Sequence, residues 1–255
     1  MYADGYYSFG SYGVEKNDLI IHLKDICFSY PGSPPALDNL DLKLCKGDRI
    51  GLMGPNGSGK TTLFHIIMGL LKPSAGTIEI FNHPTVTEKD FRKVREKIGL
   101  LFQDADDQLF SPTVVEDVAF GPLNLGKSQD EAMDIARNTL NFLGLAGFED
   151  RITYKLSGGE KKLVSLATVL AMEPEVLLLD EPTGGLDDMT KATLKDVLSD
   201  LDLSYILISH EIDFLADITN AIYTMKEGKI LFDQEIHLHQ HVHAHTHGTY
   251  THEHK

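Results

Sequence analysis

Ile50-Gly51-Leu52-Met53-Gly54-Pro55-Asn56-Gly57-Ser58-Gly59-Lys60-Thr61 decides how the rest of this chain is read. The first four residues read as a short apolar strand, and Gly54 to Thr61 fit the phosphate-loop pattern G-x-x-x-x-G-K-[ST]. Leu63 to Leu71 run Leu-Phe-His-Ile-Ile-Met-Gly-Leu-Leu, helical in length and apolar nearly all round, which predicts a buried helix. Strand, Gly-rich loop and buried helix in that order are the context that gives the pattern meaning. Gly54, Gly57 and Gly59 let backbone N–H groups approach phosphate oxygens, and the helix adds the positive end of its dipole. Lys60 is expected to reach the β- and γ-phosphates of a nucleoside triphosphate, and the Thr61 hydroxyl to ligate Mg²⁺. Pro55, Asn56, Ser58 and Thr62 complete the expected nucleotide-binding loop.

Composition sets outer limits. With 255 residues the chain can bury a full core, and 42% hydrophobic with 24% charged residues is ordinary for a globular protein. A formal net charge of −15 argues against a nucleic-acid partner, because phosphate neutralisation needs clustered Lys and Arg. Cys27 and Cys45 show no C-x-x-C spacing, which favours a reducing compartment. No apolar run approaches the roughly 20 residues of a membrane-spanning helix. Residues 1–18 do not read as a signal peptide; rich in Tyr, Gly and Ser, they predict a flexible extension. Any work at a membrane would then require a partner that carries the chain there.

Leu19 to Leu44 read as strand material broken at Pro31-Gly32-Ser33-Pro34-Pro35. Residues from about Ser111 to Ala146 read as helical, with acidic residues at Asp130 and Glu131 and apolar Ile135, Leu140 and Leu143. Val176-Leu177-Leu178-Leu179 and Tyr205-Ile206-Leu207-Ile208 are continuous apolar runs, suited to central strands of a parallel sheet covered on both faces. A helix from Met189 to Leu201 between them makes a βαβ unit. The first run delivers Asp180-Glu181 to a strand's C-terminal edge, where open α/β sheets bind ligands. There Asp180 is expected to hold Mg²⁺, and Glu181 to orient and activate an attacking water.

Two further stretches give these parts a resemblance. Leu156-Ser157-Gly158-Gly159-Glu160, and Asp180-Glu181-Pro182-Thr183 leading to Leu186-Asp187, resemble the signature, Walker B and D-loop segments of the ATPase subunit of an ATP-binding cassette (ABC) transporter. The resemblance covers residues about 19 to 235. It implies an α/β fold of the ABC-type P-loop NTPase kind: a RecA-like core, an antiparallel β subdomain, and a helical subdomain spanning about residues 104–162 of a 19–236 ATPase domain. It also implies a Q-loop glutamine at Gln103, touching Mg²⁺ or the water and facing the membrane subunits. His210 falls at the switch histidine, Tyr30 at the aromatic that stacks on adenine, and Asp187 at a dimer contact. Ser157, Gly158, Gly159 and Glu160 would bind the γ-phosphate held by a second subunit, in a head-to-tail ATPase dimer, a homodimer being favoured. Glu160 stands where glutamine is usual. Ser157-Gly158-Gly159-Glu160 also fits a capping box, which would turn that carboxylate back to Ser157's own N–H. Lys161-Lys162 read as a solvated basic helix face.

Phe102-Gln103-Asp104-Ala105-Asp106-Asp107-Gln108-Leu109-Phe110 resembles the Q-loop of energy-coupling-factor (ECF) importers, with Ala105 in place of their proline. That group includes cobalt, nickel and vitamin importers. It implies an integral membrane coupling subunit, a substrate-binding membrane component, and a peripheral place on the cytoplasmic face of the cell membrane. The tail, residues 237–255, holds eight of the chain's 12 histidines: His237, His239, His241, His243, His245, His247, His252 and His254. Imidazoles suit Ni²⁺, Co²⁺ and Zn²⁺; in extended chain alternate residues lie about 6.6 Å apart, so the tail would bend to chelate. The expected function is the ATPase of a nickel or cobalt importer. A vitamin importer stays open, as does a P-loop metallochaperone with a metal-storage tail. A GTPase would need an Asn/Thr-Lys-x-Asp guanine reader, which Met189-Thr190-Lys191-Ala192-Thr193 does not provide.

Overall fold

The structure, a computed structural model, describes residues 18–231. The expected N-terminal extension, apart from Asp18, and the expected metal-binding tail lie outside the described residues. In chain order the elements are β1 (Leu19–Ser29), β2 (Pro35–Cys45), β3 (Arg49–Met53), α1 (Lys60–Ile67), β4 (Ala75–Ile80), β5 (His83–Pro84), α2 (Glu88–Arg95) and β6 (Ile98–Leu101). There follow α3 (Val114–Asn124), α4 (Gln129–Phe142), α5 (Gly158–Leu170), β7 (Val176–Asp180), α6 (Asp188–Asp200), β8 (Ser204–Ile208), α7 (Ile212–Ile218), β9 (Ala221–Lys226) and β10 (Lys229–Leu231).

Six strands form one sheet in the order β10-β9-β3-β8-β7-β6, parallel except for the antiparallel β10 edge. The other sheet, β2-β1-β4-β5, is antiparallel throughout. β7 and β8 are buried along their whole length, and their residues alternate between two cores. Val176, Leu178, Ile206 and Ile208 face a core shared with the antiparallel sheet and α1. Leu177, Leu179, Tyr205 and Leu207 face a second core, shared with α3 to α7. The absence of polar alternation in these runs is therefore what a doubly covered sheet requires.

One helix expectation needs correction. The helix expected over Leu63–Leu71 starts at Lys60 and ends at Ile67, because Gly69 turns left-handed (φ 68°) and closes the C-terminus. Leu70 beyond it is 51% exposed. The helical stretch expected from Ser111 to Ala146 consists of two helices. α3 ends at a turn containing Gly126 (φ 88°), and α4 restarts from a Ser128/Glu131 capping box. Among the described residues no helix is long and apolar enough to cross a membrane.

Candidate functional site

The phosphate loop joins β3 to α1. Gly54 (φ 151°) and Gly59 (φ 104°) pass so close to neighbouring backbone that an added Cβ would lie 2.2 Å from the Met225 carbonyl and 2.3 Å from the Ala36 carbonyl respectively. Glycine is required there for space as well as for conformation. Lys60 Nζ donates to the Gly54 carbonyl at 2.7 Å and the Pro55 carbonyl at 3.1 Å, holding its charge over the loop. Burial pulls its ammonium below the ordinary value, against the opposing pull of Glu181 and Asp180.

Thr61, in the first turn of α1, donates its hydroxyl to Asp180 Oδ2 at 2.7 Å. These are two of the three residues expected at Mg²⁺, with Gln103 the third, and the fold brings the two into contact across 119 positions of sequence. Hard, compact oxygen donors of this kind suit Mg²⁺, so the pair fits that ion. Burial raises the Asp180 carboxyl, with the Thr61 hydroxyl the first of the opposing influences. Glu181 follows in a left-handed conformation (φ 48°), and its N–H is bonded to the Ile208 carbonyl at 3.0 Å. A non-glycine residue there is strained and persists only when its surroundings fix it. Its Oε1 lies 3.1 Å from His210 Nε2, and burial pushes its carboxyl up, with His210 and Lys60 pulling it back. A Thr183–Ser209 hydroxyl contact of 3.4 Å and Ser209's bond to the Glu211 N–H tie together the loops carrying Glu181 and His210.

A cleft of about 750 Å³ collects Tyr30, Asn56, Lys60, Gln103, Glu181 and His210 at its walls. Tyr30 OH lies 3.2 Å from Thr62 Oγ1, and its ring meets Phe28 edge-on at 5.0 Å. An adjoining cleft of about 790 Å³ shares Thr61, Gln103 and Asp180 and reaches Gly158. Ser157, Gly159 and Glu160 border neither cleft. They open α5, where Ser157 and Glu160 make the reciprocal capping box: Ser157 N to Glu160 Oε2 at 2.8 Å, and Glu160 N to Ser157 Oγ at 3.3 Å. Among the described residues no group of three or more His, Cys, Asp or Glu is arranged to hold a metal ion.

Residues 37–184 match the family model described as ABC transporter. The chain belongs to the ABC transporter family. It is 53% identical over 210 residues to a putative ABC transporter ATP-binding protein of Nitratidesulfovibrio vulgaris, covering 82% of this chain and 77% of that protein. It is 42% identical over 216 residues to the energy-coupling factor transporter ATP-binding protein EcfA of Methanothermobacter thermautotrophicus, covering 83% and 70%. Among solved structures, cbiO1 of Clostridium perfringens, part of the ABC transporter complex cbiONQ, superposes with a TM-score of 0.75 at 38% identity, over 84% of this chain and 87% of that one. The dimeric cassette MJ0796, bound to ADP and Pi, gives 0.76 at 29% identity, over 83% and 96%. The two sheets and the helical segment between β6 and β7 are thus the ABC-type α/β fold.

The structure adds three contacts to the expectations for this ABC cassette. Lys162 is not on a solvated face: it is 5% exposed, and its Nζ donates to the Gln103 carbonyl at 2.6 Å. Composition does not distinguish Lys162 from Lys161 beside it, which is paired with Asp106 at 2.5 Å. Glu160 has a second partner, Arg151 Nη1 at 2.9 Å, which with the Ser157 N–H holds its carboxyl below the ordinary value. Asp187 accepts from Thr190 N at 2.9 Å and Thr190 Oγ1 at 2.8 Å, serving as the N-cap of α6. The D-N-cap pattern before a helix was available in the sequence; the Arg151 and Lys162 contacts left no local signal.

Proposed function

We propose that this chain is the ATP-hydrolysing subunit of an ECF-type importer that takes up a transition metal ion, nickel or cobalt. The observation that carries the hydrolytic part is the meeting of Thr61 with Asp180 beside the Glu181–His210 pair, all at the C-terminal edge of the parallel sheet. Lys60 and the loop N–H groups bind the ATP phosphates, and Tyr30 offers its ring to adenine. Thr61 and Asp180, with Gln103, would hold Mg²⁺, which when bound neutralises charge on the β- and γ-phosphates. Glu181 accepts a proton from the attacking water, and its raised carboxyl strengthens it as a base. His210 orients Glu181 from the other side.

Ser157, Gly158, Gly159 and Glu160 serve a second subunit's nucleotide. Gly158 supports this: an added Cβ there would meet no heavy atom of its own chain within 4 Å, so packing within the subunit does not demand glycine. An anion arriving at the helix N-terminus from outside would. The dimer, with Asp187 near its contact, drives an integral membrane coupling subunit and a substrate-binding membrane component from the cytoplasmic face of the membrane. The ECF assignment is supported by the EcfA relatives and by Asp104 to Phe110. The metal cargo is supported by the eight tail histidines at 237–254. Uptake of Ni²⁺ and Co²⁺ in cells lacking this chain tests the cargo: a fall for one ion is expected, and unchanged uptake of both overturns it. Loss of vitamin uptake instead would favour the vitamin importer.

A further inference from the structure

The segment from Phe102 to Gln108 connects β6 to the helical part of the chain, and it is fastened to α5 at three points. Gln108 Nε2 donates to the Ser165 carbonyl at 2.8 Å and to Thr168 Oγ1 at 2.7 Å, while its Oε1 accepts the Phe102 N–H at 3.1 Å. Lys161 Nζ holds Asp106 Oδ1 at 2.5 Å. Between these, Lys162 Nζ reaches the Gln103 carbonyl at 2.6 Å, with the Phe102 carbonyl at 3.4 Å.

The Lys162 contact differs from the other two in kind. An ammonium removed from water at 5% exposure carries a large desolvation cost, and its hydrogen-bond partners here are main-chain carbonyls rather than a carboxylate. An apolar side chain of the same length would pack at α5 without that cost. What Lys162 supplies is a donor at one defined point, the backbone of Gln103, whose residue borders both clefts. Lys162 also lines the cleft of about 790 Å³ beside Thr61, Gln103 and Asp180, and Asp180, Asp104 and Glu181 act on its charge.

We propose that Lys162 is a positioning residue for catalysis: it locks the Gln103 backbone to the start of α5, so that Gln103 and the Ser157–Glu160 half-site are set by one rigid unit. This rests on the reading of Gln103 as a residue of the nucleotide site. The Lys162 ammonium is engaged by the Gln103 and Phe102 carbonyls, so its loss acts on geometry at the reacting centre and leaves phosphate binding by Lys60 and the loop in place. Misplacement of about 1 Å at a reacting centre can reduce rate by up to about a hundredfold.

The test is a double-mutant cycle in the full-length chain with Mg-ATP: wild type, Lys162→Met, Gln103→Ala and the double variant, with kcat and KM measured for each. Lys162→Met is expected to lower kcat by about tenfold or more with KM changed less than about twofold. The double variant is expected to match Gln103→Ala alone, because the lysine acts through Gln103. If the two losses multiply, or if Lys162→Met raises KM without lowering kcat, the positioning role is overturned while the nucleotide site stands. If Gln103→Ala leaves kcat unchanged, the assignment of Gln103 and the coupling through it fail together. Should Lys162→Met not fold, Lys162→Gln, which keeps an N–H donor without charge, carries the same cycle with the same criteria.

Discussion

Glu160→Gln separates a structural carboxylate from a chemical one. In the wild type both oxygens are engaged within the subunit: Oε2 accepts the Ser157 N–H at 2.8 Å, and Oε1 accepts from Arg151 at 2.9 Å. A glutamine keeps one acceptor for Ser157, but its NH₂ then faces the Arg151 guanidinium, donor against donor. The side chains of this pair are 49% and 32% exposed, so the lost ion pair costs only about 0–1 kcal/mol. Loss of a negative charge from the first turn of α5 adds about 0.3–1 kcal/mol. A total near 1 kcal/mol corresponds to a Tm fall of about 2–4 °C in a chain of this size. Glu160→Ala also abandons the Ser157 N–H and is expected to cost about 1 kcal/mol more. The Glu160 carboxyl is held below its usual value of 4.5, first by the Ser157 N–H. Its stabilisation is therefore complete above that value and is lost as pH falls through the lower folded-state pKa. The Tm gap between wild type and Glu160→Gln should hold at neutral pH and close in acid. Thermal melting at several pH values, with steady-state ATPase at neutral pH, reads both quantities. Turnover should stay within a few-fold of wild type. A loss of about a hundredfold or more with only a few degrees of Tm change would show that the carboxylate takes part in the chemistry.

Two further variants probe the carboxylates at the end of β7 and just beyond it. Glu181→Gln is expected to cut turnover by about 10²–10⁴ and to trap an ATP-bound dimer visible by size-exclusion chromatography; hydrolysis at the native rate would remove Glu181 as the base. Because burial raises its carboxyl, the acid limb of the wild-type kcat profile should lie above the ordinary 4.5, and the residual activity of the variant should lack that limb. Asp180→Asn should stop Mg²⁺-dependent turnover yet raise the Tm of the nucleotide-free protein at neutral pH. Asp180's folded pKa is raised, so its contribution is present below the unfolded value and lost as pH rises through the folded one. The gain in Asp180→Asn should vanish in acid; an unchanged or lower Tm at neutral pH would contradict the burial argument.

Much of the site was legible because its signals are local. Gly54 to Thr61 must take one backbone path to approach phosphate, and Val176 to Asp180 must be apolar throughout to lie inside a sheet covered twice. The Ser157–Glu160 cap was readable for the same reason, since its two bonds span three residues. The end of α1 was not legible because Gly69 inside an apolar run can continue or close a helix, and packing against Phe91 settles it: an added Cβ at Gly69 would lie 2.2 Å from that ring.

By itself the sequence determined the phosphate loop, the strand that carries Asp180 and Glu181, and the helix start at Ser157, because each depends on contacts a few residues apart. Only the tertiary structure decided that Lys162 is buried under Gln103, that Arg151 holds Glu160, and that Thr61 meets Asp180 at 2.7 Å. Charge and polarity of a residue are written in the chain, but whether that residue meets water or a partner depends on which distant backbone the packed core brings over it.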